Sequence, residues 1–348
     1  MKQRIREYDI LRIILVLLVV IGHSAYLEIG TKYGGIYYLS QLYESGYWLS
    51  RAYNWFQNVV SFIYMFHMEL FMLLSGTLFM YSFNKYGTKE FFVKKVKRLM
   101  IPFFVVMVFS ILVKYLTGYW SNSSSIIKDI IYGQVLLNGN THLWFLPTLL
   151  AVTIITWVLE KLRINKYIKL LLLVVLYFIC PHISIPFISY IFKYLLWFNL
   201  GIFFEEHREK INENSTITNA ILEFIIALLF YLVFLRCPGD KQIVLYPVIT
   251  SFMILSVYSF AYNISKTKFE LKVISDNSLE IYLVSDLINY IFLFFVFNCL
   301  PLSIFTSSKL SILIIGARFL LQLLLSLLII KIYKKIKKFI FRKHDIIK

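Results

Sequence analysis

Apolar runs of about twenty residues recur from one end of the chain to the other, each closed off by charged or turn-forming residues, and each is long enough to cross a bilayer core. Their boundaries predict ten helices, over 10–29, 55–82, 99–119, 143–160, 168–181, 187–204, 217–235, 243–264, 279–298 and 310–333. The fifth is short and stops at Cys180-Pro181, so a tilted or re-entrant segment is expected there. No hydrophilic stretch is long enough for a separate soluble unit, and no internal repeat is visible. Residues 1–348 therefore read as one domain of all-α class, a polytopic membrane protein with about ten transmembrane helices.

The first of these runs breaks its own pattern. From Ile13 to Ile21 it carries no polar side chain, yet Asp9, Arg12 and His23 fall on one side of the helix. Eleven residues separate Arg12 from His23, about three turns, which puts them on a shared face roughly 16 Å apart along the axis. An ionisable group inside a span is costly and marks a candidate functional site. Gly22 gives backbone room beside His23, whose imidazole can serve as a base near neutral pH. The run is too long for a removable signal peptide and lacks a small-residue cleavage site.

Composition agrees with the pattern: 348 residues, 59% of them hydrophobic, exclude an ordinary soluble globular protein. A net charge of +17 would suit a nucleic-acid binder if the cations formed one soluble face. Instead 26 of the 36 Lys and Arg fall in alternate inter-helix segments and the two terminal segments. That asymmetry predicts both termini in the cytoplasm and no nucleic-acid partner. The basic tail from Lys331 through Lys338 to Arg342 and Lys343 is expected to touch anionic lipid headgroups. Cys180, Cys237 and Cys299 show no metal-ligand spacing and read as isolated packing cysteines; no metal site is expected.

The remaining polar positions gain meaning from their depth. The outer segment 31–54 is rich in Tyr and Trp, which fits an interfacial belt or a sugar-stacking surface. His67 and Glu69 lie in mid-span but two residues apart, so they cannot share a helix face and should serve different neighbours. Ser75-Gly76 suggests close helix packing. The cluster Lys94-Lys95-Val96-Lys97-Arg98 at the inner start of the third span is either an orientation signal or a seat for a phosphate-bearing ligand. His142 and Trp144 open the fourth span on the same side as His23. Tyr282, Ser285 and Asp286 lie deep in the ninth span, where Asp286 needs a partner and Arg318 is the candidate.

Taken in order, these segments resemble the acyltransferase-3 family of bacterial integral-membrane acyltransferases. Arg12 and His23 match its Arg-x10-His signature, preceded by Asp9. Phe66-His67-Met68-Glu69-Leu70-Phe71 with Leu74-Ser75-Gly76 is similar to a family segment in which proline stands at the position of Glu69. Lys95-x-x-Arg98 before Pro102 resembles its basic motif, with lysine for the first arginine. His142-Leu143-Trp144-Phe145 and Ser278-x-x-Ile281-Tyr282-Leu283 match two further segments, although Ser285 stands where the family often has His.

The resemblance implies transfer of an acetyl group from cytoplasmic acetyl-CoA, as donor substrate, to a hydroxyl of an extracytoplasmic surface polysaccharide or its lipid-linked unit. It places His23, Asp9 and Arg12 in catalysis, and Arg12, Lys94, Lys95 and Arg98 on the donor phosphates. His67, Glu69, His142, Trp144 and Tyr282 fall on the substrate side. His23 would either deprotonate the sugar hydroxyl or carry the acyl group, and self-association is left open. With no esterase-like domain expected after the membrane part, a capsular or other surface glycan is the expected acceptor, at a bacterial cell membrane. A glycan-lipid flippase or exporter is the competing reading, since it too predicts basic inner segments and buried charges.

Overall fold

The computed structural model describes residues 5–31, 33–120, 123–135 and 142–346. The chain is helical almost throughout. It runs through α1 (Arg6–Ser24), a small hairpin β1 (Glu28–Thr31) and β2 (Gly34–Tyr37), α2 (Tyr38–Glu44), α3 (Arg51–Tyr64), α4 (His67–Thr77), α5 (Phe79–Phe83) and α6 (Thr88–Leu116). There follow α7 (Ser123–Lys128), α8 (Phe145–Lys161), α9 (Lys166–Ile179), α10 (Pro186–Glu206), α11 (Arg208–Asn214) and α12 (Ile217–Phe234). The remainder is α13 (Gly239–Ser265), α14 (Lys272–Asp276), α15 (Ser278–Cys299) and α16 (Ser308–Ile346).

Among the described residues, eight helical segments are long and apolar enough to cross a membrane, the continuous run from Arg51 to Phe83 counting as one. The other two expected spans are α1, which carries charges, and α9, which has only 14 residues. Together they account for all ten apolar runs of the sequence. Three ends differ from expectation. The third span starts at Thr88 instead of 99, the last helix runs on to Ile346, and the segment after α1 folds into the hairpin with Glu28 opposite Tyr37. The side chains of Lys337, Arg342 and Lys343 lie outside the described residues.

Helix α1 is the hub. It packs against α13, α15, α16, α4 and α3, and its Leu15, Val16, Val19 and Val20 are fully buried. Lipid-facing helices such as α12 leave most of their apolar side chains outside, as a bilayer solvent allows. Two close approaches fix the frame. A Cβ at Gly76 would run into the Phe198 carbonyl, and one at Gly201 into the Leu73 carbonyl, so α4 and α10 touch backbone to backbone. Gly22 likewise makes room for the Tyr64 ring against α1.

The expected second span is not one helix. It breaks at Met65 and Phe66 in the middle of the membrane, where free carbonyls need donors. Helix α13 supplies them, with Thr250 Oγ1 on the Met65 carbonyl at 2.7 Å and the Tyr246 hydroxyl on that of Tyr64 at 3.4 Å. At the outer end of α6, Lys114 is buried against Asp129 at 2.9 Å and sits 4.3 Å over the Tyr119 ring. All three cysteines are free, as their spacing suggested.

Candidate active site

Because α1 rises through the centre of the bundle, its polar positions meet different surroundings at its two ends. At the basic end, Arg12 Nη1 pairs with Asp9 Oδ1 at 2.6 Å. There Arg12 joins Lys95, Arg98, Ser75, Ser278 and Tyr282 around a cavity of about 940 Å³, mouth included. Lys95 and Arg98 are three residues apart on α6 and so share a face. Lys94, one residue before, points elsewhere: its ammonium pairs with Glu90 at 2.7 Å and lies 3.8 Å over the half-buried Tyr86 ring. The expected donor cluster is therefore split, with Lys94 turned away from the cavity that Lys95 and Arg98 line.

At the far end of the cavity stand three aromatic side chains from three helices: Phe71 of α4, Phe145 of α8 and Tyr282 of α15. Their ring centroids lie 5.7 to 6.5 Å apart. The Tyr282 hydroxyl donates to the backbone carbonyl of His142, tying the cavity wall to the layer beyond it.

That layer holds a group of buried ionisable side chains. Asp286, one turn beyond Tyr282 on α15, lies between two imidazoles. Its Oδ2 is 2.6 Å from His142 Nδ1, and its Oδ1 is 3.6 Å from His23 Nδ1. The three side chains are between 7% and 12% exposed, so the carboxylate is compensated by these rings and hardly by water. The longer contact is an ion-pair distance only, and His23 Nδ1 has no hydrogen bond among the described residues. His142 Nε2 is buried and equally without a hydrogen-bond partner among them.

The expectation that Arg318 would pair with Asp286 is corrected here. The Arg318 guanidinium is spent on Asn289 Oδ1 and on the Tyr26 carbonyl, and Gln322 Nε2 donates to the same Asn289 oxygen at 2.8 Å. Arg318 and Asn289 thereby lock the outer end of α1, three residues beyond His23, onto α15 and α16. The Tyr26 and Tyr64 hydroxyls are hydrogen-bonded to each other beside it.

The other residues marked in the sequence fall outside this group. His67 turns towards the Tyr64 ring, 4.8 Å away, with Nδ1 at 3.0 Å from the Ile63 carbonyl. Glu69 faces the opposite way, into α10 and α13, where Lys193 Nζ is 2.7 Å and the Tyr246 hydroxyl 2.9 Å from its Oε1. The two do serve different neighbours, and Glu69 is fully buried and lines no described cavity. Trp144 packs on Tyr190 and Tyr194, at 4.6 and 5.2 Å. Asp9 stays with Arg12, about four turns of helix from His23.

Sequence reasoning did not place Asp286 in the site, although a buried acid in an apolar span was a visible signal. Its partners lie 144 and 263 positions away, and only the packing of α1, α15 and the start of α8 brings them together.

No curated protein and no solved structure matches this chain. A family model described as an acyltransferase domain matches residues 5–331. With that match covering nearly the whole chain, and with Arg12 and His23 at the two ends of the central helix, the protein belongs to the acyltransferase-3 family.

Proposed function

We propose that this multi-pass membrane acyltransferase moves an acetyl group from cytoplasmic acetyl-CoA to a hydroxyl of an extracytoplasmic surface polysaccharide, or of its lipid-linked unit, at a bacterial cell membrane. One observation carries the reading. A single cavity runs from Arg12, Lys95 and Arg98 to Tyr282, whose hydroxyl touches the residue that holds Asp286. Cations at the entrance suit the phosphates of a CoA donor. The apolar middle, with Met68, Leu74, Leu149 and Phe198, suits its thin acyl-bearing arm. Imidazoles beyond the cavity suit attack of a hydroxyl on the thioester carbon. There His23 stands with His142 where the transfer step takes place.

The chemistry supports a transferase over a flippase. A pore or carrier for a glycan lipid has no need of a carboxylate held between two imidazoles at the end of a cation-lined cavity. The test is the ester-linked acetyl content of the surface glycan, read by NMR and mass spectrometry, with the gene deleted and then restored as wild type or His23→Ala. Abundant glycan without its acetyl ester in the deletion and the variant is the expected result. Full acetylation in the deletion strain sinks the proposal, and loss of the glycan itself favours transport.

A further inference from the structure

We propose that His142, oriented by Asp286, is the base that takes the proton of the acceptor hydroxyl. The inference rests on the acetyl-transfer reading and names the residue that performs one of its steps.

His142 Nδ1 lies 2.6 Å from Asp286 Oδ2. At that distance the ring N–H donates to the carboxylate, which fixes the tautomer and leaves the lone pair on Nε2. The ring is also anchored through its own backbone, because the His142 carbonyl accepts from Tyr282. An imidazole with one nitrogen held by an acid and the other free is the base half of a nucleophile–base–acid arrangement. Nε2 is that free nitrogen: it is buried and has no partner among the described residues. Leaving a buried acceptor unmet costs about 1–3 kcal/mol, a cost that a hydroxyl presented to Nε2 would relieve.

His23 is less well held for this step. Its Nδ1 is 3.6 Å from the other Asp286 oxygen, too far for a hydrogen bond that would fix its tautomer. The carboxylate is thus closely bonded to His142 and only near His23.

The step balances as follows. The acceptor O–H bond breaks and its proton goes to His142 Nε2, while the oxygen forms a bond to the acyl carbon. When the acyl–sulfur bond breaks, the sulfur leaves with the electron pair and takes the proton back from the imidazolium. One hydroxyl and one thioester become one ester and one free thiol, and His142 is restored.

The test uses membrane vesicles holding the full chain together with the strain's own surface and lipid-linked glycans, supplied with radiolabelled acetyl-CoA. The readout is label fixed as base-labile ester on glycan. His142→Gln and Asp286→Asn are expected to lower kcat by about 10²–10⁴-fold, with the donor KM within about threefold of wild type. In His142→Ala, added imidazole is expected to restore part of the lost rate, and Asp286→Glu to recover more rate than Asp286→Asn. A His142→Gln protein that keeps a tenth or more of the rate overturns the proposal. So does a loss that imidazole does not relieve, or one that simply tracks a fall in thermal stability, since each makes His142 a packing residue. If the wild type itself fixes no label, the acetyl-transfer reading fails, and His142 loses its role with it.

Discussion

Two of the carboxylates buried in this bundle, Glu69 and Asp286, have been given different company. Glu69 faces a lysine and a tyrosine, with Lys193 Nζ also 4.6 Å over the Tyr246 ring and 5.2 Å over that of Tyr194. Asp286 faces two imidazoles. A carboxylate bound to an ammonium inside aromatic walls is a fixed pair of charges, which braces three helices and exchanges nothing. One bound to imidazoles sits beside rings whose nitrogens can take and return a proton, and that capacity is what a transfer step requires. The first cluster leaves Glu69 Oε2 unmet among the described residues, and the second leaves two ring nitrogens, His23 Nδ1 and His142 Nε2. An imidazole nitrogen can take and return a proton, whereas the Glu69 oxygen belongs to a carboxylate already bound to an ammonium. Burial of charge alone thus does not mark a reaction centre, and the identity of the partner does.

The contrast can be broken experimentally. The largest effect is expected for His23→Ala, which should lower glycan acetylation by about 10²–10⁴-fold while the detergent-solubilised protein melts close to wild type. A parallel collapse of melting temperature would move His23 into the bracing class. Next comes Glu69→Ala, which strands the Lys193 ammonium and should cost about 3–5 kcal/mol of stability, read as a loss of folded protein on size exclusion. The paired change Glu69→Leu with Lys193→Met should restore most of that loss and retain acetyl transfer. A stable but inactive double variant would contradict the division drawn here. Smaller again, Lys95→Ala should raise the donor KM about tenfold, or about 1.4 kcal/mol, with little change in kcat. The weakest effect belongs to Lys94→Ala, whose solvent-exposed pairing with Glu90 should leave the donor KM within about twofold.

The sequence carried the bundle well because each span had to satisfy its backbone internally and hide its apolar length from water. Runs of apolar residues and the placement of Lys and Arg follow directly from that. It also carried the shared face of Asp9, Arg12 and His23, which depends only on helical spacing. What it could not carry was anything decided between helices. Lys94 and Lys95 look alike in a string of letters, yet one residue of helix turns one to the cavity and the other to Glu90. Arg318 lies on the outer side, as Asp286 does, but a second polar partner, Asn289, lies nearer its guanidinium. The break at Met65 and Phe66 has no proline or glycine to announce it; it is allowed because Thr250 and Tyr246 of α13 answer the carbonyls it frees.

The contact between Gly76 and Gly201 has a consequence for how a bulky donor gets in. Two helices joined through their backbones form a stiff plank, and α4 and α10 supply one flank of the cation-lined cavity. The opposite flank is α6, which brings Lys95 and Arg98 and shows most of its surface outside the bundle. If the proposed donor enters there, the flank freest to move aside is α6, not the plank. Turnover in thicker or stiffer bilayers should then slow at the doorway before it slows at the chemistry.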